Sequence, residues 1–199
     1  MKKIIIGITG GIGSGKSIVS RIVRCNGYNV YDCDSRAKKI MTENIKVKAS
    51  LIEVLGKLAF LNDGTINSSL VSQMLFDSPM LRNKVNKIVH ESVKEDFKFS
   101  LKGKDSLFFI ESALLKSSGL EELCDYIWLI EAPENLRVSR VISRSKLKEE
   151  EIRKRMDSQK YEFSDFPKCK TINFLNDGVN PILPEIIKNI NNLKNRHHA

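Results

Sequence analysis

One glycine-rich stretch near the start of the chain constrains the fold more than any other feature. Residues 7 to 20 have the sequence GITGGIGSGKSIVS and follow the apolar run Ile4-Ile5-Ile6 directly. Within this stretch, Gly10 to Ser17 match the pattern G-x-x-x-x-G-K-[ST]. The match lies between an expected strand and an expected helix, which is the context that this pattern requires. The stretch therefore predicts a phosphate-binding loop.

The chemistry of the loop follows from its residue types. Glycines tolerate backbone angles forbidden to other residues, so that successive N–H groups can turn inward around a phosphate. The helix that begins near Lys16 adds its positive N-terminal end. Lys16 would bridge the β- and γ-phosphates, and the Ser17 hydroxyl would bind Mg²⁺. The loop is thus predicted to hold a nucleoside triphosphate.

Two sequence signals separate the classes of protein that use such a loop. GTPases of this kind usually carry a D-x-x-G switch and an N-K-x-D guanine-recognition motif. The chain contains no D-x-x-G, and its two Asn-Lys pairs occur as N-K-V-N and N-K-I-V without the aspartate. Kinases and ATPases remain as the candidate classes.

Short runs of β-branched and aromatic residues alternate with segments of helical periodicity, which predicts an α/β fold with a five-stranded parallel sheet flanked by helices. The predicted strands span residues 2–8, 28–34, 106–112, 125–132 and 170–176. The predicted helical segments span residues 16–26, 35–56, 68–101, 134–144, 148–160 and 184–195. We expect one domain over residues 1–199, with a core of 1–34, 105–139 and 166–199, an inserted helical acceptor lobe of 35–104, and a helical lid of 140–165.

Composition and charge limit the binding partners and the cellular compartment that we expect. The chain has a net charge of +9, but its basic residues alternate with acids, as in KLKEEEIRKRMDSQK, which is typical of a solvated helix face and not of a nucleic-acid site. No apolar run approaches the about 18 residues of a membrane span. Cysteines without a CxxC pair favour reduced thiols in a cytoplasmic protein; they are Cys25, Cys33, Cys124 and Cys169.

Two carboxylates follow the second predicted strand. Asp32 and Asp34 are two residues apart, so on an extended chain they would share one face. The carboxyl ends of parallel strands are where open α/β sheets bind ligands. A carboxylate there would accept the proton of an attacking hydroxyl or hold the water shell of a metal ion. An aspartate that only caps the next helix is the alternative for either residue alone.

The phosphate loop followed by GYNVYDCDSRAKKI resembles the dephospho-CoA kinase family. Further resembling segments occur in the family's order along residues 3–178. They are LNDGTIN (61–67), LFDSPMLRNKVNKIVHESV (75–93), ALLKSSGLEELCDYIWLIEAP (113–133), RVSRVISR (137–144), RKRMDSQ (153–159) and FLNDG (174–178). The sequence departs from the family's pattern at Ile18, Lys38, Ser68, Glu91 and Ala113, which affects the expected acceptor contacts more than the reaction.

The resemblance implies transfer of the ATP γ-phosphoryl group to the 3′-hydroxyl of dephospho-CoA, the last step of coenzyme A biosynthesis, with Mg²⁺. It implies Asp34 as general base, supported by Asp32, with Lys16 and the lid residue Arg140 stabilising the transferred group. Ser17 would hold Mg²⁺ together with Asp32 or Glu111, often through water. The implied nucleotide-binding residues are Gly11, Ile12, Gly13, Ser14, Gly15, Lys16, Ser17, Ile18, Arg144 and Asn176; the implied acceptor-binding residues are Asp34, Lys38, His90 and Leu114.

Two other functions remain open from the residues. One is a kinase for another nucleotide or for a small hydroxyl compound, because only the acceptor lobe distinguishes acceptors. The other is a non-kinase protein that binds nucleotide as a switch or an assembly module. In each case we expect a monomer or weak homo-oligomer, with no nucleic acid and no membrane as partner.

Overall fold

The computed structural model describes residues 3–102, 106–145, 147–167 and 170–198. Five strands form one parallel sheet, which confirms the predicted fold class, in the spatial order β2-β3-β1-β4-β5. The strands are β1 (Ile4–Thr9), β2 (Val30–Asp32), β3 (Leu107–Glu111), β4 (Tyr126–Glu131) and β5 (Thr171–Leu175).

The central strands are apolar on both faces because helices cover the sheet. In register, Ile6 lies opposite both Phe109 of β3 and Tyr126 of β4, and Trp128 lies opposite Ile172 of β5. The Trp128 ring meets the rings of Phe109 and Phe174 edge-on, with centroids 5.4 and 5.1 Å apart. These aromatic contacts fix the register of neighbouring strands and so the positions of the loops at their carboxyl ends.

The described part of the chain also contains eight α-helices. They are α1 (Lys16–Cys25), α2 (Cys33–Glu43), α3 (Ile45–Leu55), α4 (Ser68–Asp77), α5 (Pro79–Ser100), α6 (Glu134–Ile142), α7 (Glu149–Ser158) and α8 (Leu183–His198). None of the described helices is long and apolar enough to cross a bilayer. Cys25 is exposed, Cys33 and Cys124 are buried, and Cys169 lies outside the described residues.

The chain divides into two compact units, described here one at a time. The sheet unit comprises the described residues up to Tyr31 and those from Ser106 onward. Its core joins the sheet to α1 and α8 through Val19, Val23, Ile186 and Ile190, all of which are buried. The apolar three- and four-residue spacing of both helices explains this packing.

The helical unit runs from Asp32 to Lys102 and contains α2 to α5. The long helix α5 packs against α2, α3 and α4. Arg36 of α2 forms a two-point ion pair with Asp96 of α5, with N–O distances of 2.9 and 2.6 Å. Asn44, Asn67 and Ser78 cap α3, α4 and α5. Asn44 thereby divides the predicted helical segment 35–56, and Ser78 divides the predicted segment 68–101.

Candidate active site

The phosphate loop connects β1 to α1, as predicted. Gly13 and Gly15 have φ angles of +79° and +102°, a region that disfavours side chains with a Cβ. A Cβ on Gly13 would lie 2.5 Å from the carbonyl oxygen of Arg137. The loop backbone therefore packs against α6 so closely that only glycine fits at this position.

Lys16 is half-buried at the start of α1, and its side chain folds back over the loop. Its Nζ donates hydrogen bonds to the carbonyl oxygens of Gly10 at 2.7 Å and of Gly11 at 3.3 Å. The ammonium group is thus held against the loop and outside the apolar core. The role of Lys16 toward a phosphate stays a prediction.

The N-terminus of α1 is open to an anion. Within the described chain, no side chain caps this helix and no acidic residue occupies its first turn. The first N–H groups of a helix lack intrahelical acceptors and carry the positive end of the helix dipole. Ser17 and Ile18 follow Lys16 there and are exposed. The helix end, the glycine loop and Lys16 together suit a phosphate group.

Asn176, directly after β5, and Arg140, in the last turn of α6, support the loop. The buried Asn176 side chain donates from Nδ2 to the carbonyl oxygen of Ser14 over 2.8 Å. Arg140 donates from Nη1 to the carbonyl oxygen of Asn176 over 3.1 Å. The structure thus brings together three residues that the sequence placed in one site.

Arg137 and Gln159 also contact the loop. The resemblance placed Gln159 in the lid segment RKRMDSQ without assigning it a contact, and Arg137 was not among the predicted site residues. Arg137 donates from Nε to the carbonyl oxygen of Ile12, and Gln159 Oε1 accepts from the Ile12 N–H, both over 2.9 Å. Burial lowers the pKa of the Arg137 guanidinium, although the nearby Glu134 carboxylate acts in the opposite direction. The position of Arg137, three residues before Arg140, places both on one helix face and was the signal available in the sequence.

Arg144 does not lie on α6 with Arg140, although the predicted helical segment 134–144 included both residues. Helix α6 ends at Ile142, and Arg144 lies in the following turn, where its N–H bonds to the Val141 carbonyl over 3.2 Å. The Arg144 side chain is exposed. Ser143 and Ser145, whose hydroxyls bond back to helix carbonyls, accompany this early end.

Asp32 and Asp34 were expected to share one face of an extended chain, and this prediction is wrong. β2 stops at Asp32, and α2 begins at Cys33. Asp32 caps α2: its carboxylate accepts from the N–H of Ser35 at 3.0 Å and from the Ser35 hydroxyl at 2.9 Å. Asp34 lies in the first turn of α2 and is exposed. The capping preference of Asp32 is what ends the strand early.

The remaining predicted site residues are distributed over both units. In the helical unit, Lys38 is exposed on α2 and His90 is half-buried on α5. In the sheet unit, Glu111 ends β3 and is half-buried, and Leu114 follows in the next loop with 38% of its surface exposed. No three His, Cys, Asp or Glu side chains converge as a metal-ligand set in the described ranges.

The parallel sheet and the glycine loop between β1 and the N-terminus of α1 define a P-loop nucleotide-binding fold. A family model described as CoaE, dephospho-CoA kinase, matches residues 4–177. The chain belongs to the dephospho-CoA kinase family, which confirms the resemblance seen in the sequence. A relative from Bacteroides fragilis named dephospho-CoA kinase is 38% identical over 197 residues, covering 97% of this chain and 94% of the relative.

Solved structures agree with this assignment at the level of the fold. The crystal structure of TT1252 from Thermus thermophilus superposes with a TM-score of 0.82 at 29% identity, covering 96% of this chain and 97% of that one. A dephospho-CoA kinase from Campylobacter jejuni superposes with a TM-score of 0.65 at 22% identity, covering 97% and 98% of the two chains. The fold is therefore shared across the whole length of the chain.

Proposed function

We propose that the protein transfers the γ-phosphoryl group of ATP to the 3′-hydroxyl of dephospho-CoA and so forms coenzyme A. The observation that carries this proposal is the extent of the family match, which runs through residues 4–177. A phosphate loop alone is common to kinases with many acceptors. The match continues through the whole helical unit, and this is the part expected to distinguish one acceptor from another.

The donor side of the reaction rests on the loop. Gly13 and Gly15 adopt conformations in which the backbone can surround a phosphate, and α1 presents its N-terminus there. Lys16 supplies a positive charge held on the loop, and Arg140 supplies another beside Asn176. Fixed charges and N–H dipoles stabilise the charge that spreads over the phosphoryl oxygens during transfer. Arg144, exposed in the turn after α6, is proposed to join them in a closed lid.

Mg²⁺ is proposed to bind through the Ser17 hydroxyl, which is exposed at the N-terminus of α1. Because the described residues offer no set of three acidic, His or Cys ligands, the phosphate oxygens would supply most of the coordination. When bound, the ion would supply positive charge that neutralises part of the charge of the phosphates. Glu111 and Asp32 remain proposed partners of its water shell.

Asp34 is the proposed general base. The structure favours it over Asp32 because the Asp32 carboxylate is engaged with Ser35, whereas Asp34 is exposed in the first turn of α2. Asp34 would accept the proton of the acceptor hydroxyl as that oxygen attacks phosphorus. Asp32 would then act indirectly, by fixing the start of the helix that carries Asp34.

The acceptor is proposed to bind mainly through the helical unit, with Lys38 and His90 as contact residues there. Leu114, in the sheet unit, is a further proposed contact residue. Residues 32–103 hold twelve Lys and Arg against nine Asp and Glu, which suits an acceptor that carries its own diphosphate. The proposal extends to a cytoplasmic location and to a monomer or weak homo-oligomer.

An acceptor panel tests this function. The protein with ATP and Mg²⁺ is incubated with dephospho-CoA, AMP, CMP or pantothenate, and ADP formation is followed for each acceptor. The proposal predicts rapid ADP formation with dephospho-CoA alone. Preference for another acceptor would place the protein among other kinases, and slow hydrolysis unaffected by any acceptor would indicate a nucleotide-binding switch.

A further inference from the structure

Ile12, in the middle of the phosphate loop, is anchored at three points to the segment that follows β4. Its N–H donates to Gln159 Oε1 and its carbonyl accepts from Arg137 Nε, each over 2.9 Å. Its side chain packs against an apolar cluster that we call the lid cluster, formed by Val138, Val141, Ile152 and Met156. One loop residue thus has both of its peptide groups and its side chain held from the same side.

The segment that holds Ile12 is a packed pair of helices. All four members of the lid cluster are buried, two on α6 and two on α7. Arg153 of α7 bonds across to Glu134 of α6 over 2.5 Å and also to Glu149 within its own helix. Gln159 directly follows the last residue of α7. A shift of α7 would therefore move the acceptor of the Ile12 N–H.

The neighbours of Ile12 explain why such anchoring matters. Gly11 and Gly13 flank it, and glycine gives the unliganded backbone more conformational freedom than any other residue. Arg137 lies so close that the guanidinium carbon would be 2.7 Å from a Cβ placed on Gly11. The loop shape around Ile12 is consequently fixed by residues outside the loop.

We propose that Gln159 is a positioning residue which, together with Arg137, holds the Ile12 peptide and thereby keeps the phosphate loop in its ATP-receptive shape. The same contact couples occupation of the loop to α7, so that ATP stabilises the helix pair and the helix pair strengthens ATP binding. Such coupling is reciprocal by thermodynamic necessity. This inference rests on the proposed use of ATP and is independent of the identity of the acceptor.

The test compares four forms of the full chain without any acceptor. Gln159→Met keeps the length of the side chain and removes the oxygen that accepts from Ile12. ATP dissociation constants from calorimetry should rise about tenfold. Only those molecules whose loop has the receptive shape bind ATP, so the apparent affinity falls in proportion to their fraction. Hydrogen exchange of the Ile12 amide in the ATP-free protein should accelerate by about the same factor, since its hydrogen bond is lost. Lys188→Ala, an exposed lysine on α8 and outside the lid, is the control and should leave both quantities unchanged.

Gln159→Glu supplies the rescue. Its carboxylate retains an oxygen acceptor, so slow exchange of the Ile12 amide should return in the ATP-free protein. A role of Gln159 in general stability alone would not distinguish the Met and Glu variants at this one amide. If Gln159→Met does not fold, as judged by its thermal transition, Arg137→Met removes the donor on the other side of Ile12 and should weaken ATP binding in the same direction.

Wild-type ATP affinity together with unchanged Ile12 exchange in a folded Gln159→Met variant would overturn the proposal. So would a Glu variant whose Ile12 amide exchanges as fast as in the Met variant. Failure of the acceptor panel would leave these binding and exchange results intact. Failure here would leave the choice of acceptor intact, so the two proposals fail separately.

Discussion

The Nζ of Lys16 lies 2.7 Å from the carbonyl oxygen of Gly10, at the other end of the same phosphate loop. A lysine held by its own loop is prepositioned, because little side-chain entropy remains to be lost when an anion arrives. The charge is therefore already placed in the loop before any nucleotide binds.

The first prediction removes this charge. Lys16→Ala should lower turnover by a few hundredfold or more, because a charge contact made mainly in the transition state is worth on the order of 3–4 kcal/mol. The half-buried side chain lies on the loop and not in the core, so the thermal transition should change little. Steady-state ADP formation with dephospho-CoA measures the effect. Lys188→Ala, an exposed lysine on α8, is the control and should keep full activity. Near-normal turnover of Lys16→Ala would show that the loop has been misinterpreted.

The second prediction concerns the proposed lid, residues 140–165. ATP should draw Arg140 and Arg144 toward its phosphates, so amide exchange in this segment should slow when ATP is added. Mass-spectrometric hydrogen exchange with and without ATP measures the change, and the strands of the sheet provide the internal reference. Equal exchange of the lid segment in both states would argue against closure.

The third prediction separates chemistry from binding at Asp34. Asp34→Asn keeps the size of the side chain and removes its charge, so ATP affinity should be retained while turnover falls about 10²–10⁴-fold, the usual contribution of a positioned base. Asp77→Asn, an exposed aspartate at the end of α4, is the matched control.

Titration with Mg²⁺ distinguishes a base from a metal ligand at the same position. An unchanged Mg²⁺ midpoint with low turnover supports Asp34 as the base, and a raised midpoint assigns it to the metal shell. Full activity of Asp34→Asn would remove Asp34 from the mechanism and leave Asp32 as the candidate.

The fourth prediction uses the buried thiol of Cys124. Burial, with a smaller contribution from the Asp125 carboxylate, raises the pKa of Cys124 from 9.0 to about 12. The folded state therefore keeps its proton at a pH where the unfolded state has lost it, and stability falls as pH rises above about 9. The free energy of unfolding, measured in urea from pH 8 to 10.5, should decline more steeply for the wild type than for Cys124→Ala. Parallel declines would show that the thiol ionises equally in both states.

Much of the fold could be predicted from local patterns. The apolar strands and the turn chemistry of the loop are encoded within a few residues, and each predicted strand is present in the structure. The boundary at Asp32 was missed because the tendency of this carboxylate to cap a helix competes with the β-rich run before it. Sequence patterns favoured both a strand that continues through Asp34 and a helix that begins after Asp32. The hydrogen bonds of Asp32 to Ser35 decide for the helix.

The sequence could identify candidate site residues that belong to one motif. It could not identify contacts that form between segments distant in the sequence. Lys16 and Ser17 belong to the loop motif itself. Gln159 contacts Ile12 across 147 positions of sequence, which no local pattern reports. Arg137 was missed for the same reason, since only the packing of α6 on the glycine loop shows which arginine reaches the backbone.

The most direct test of the proposed function follows the phosphoryl group itself. The protein is incubated with dephospho-CoA and ATP labelled at the γ-phosphate, and the labelled product is separated and its phosphate position determined by ³¹P NMR. The account predicts that the label appears on the 3′-oxygen of coenzyme A, with ADP formed in equal amount, and that Lys16→Ala slows the formation of both by a few hundredfold or more. Label found only in inorganic phosphate, or on a different oxygen of the acceptor, would contradict it.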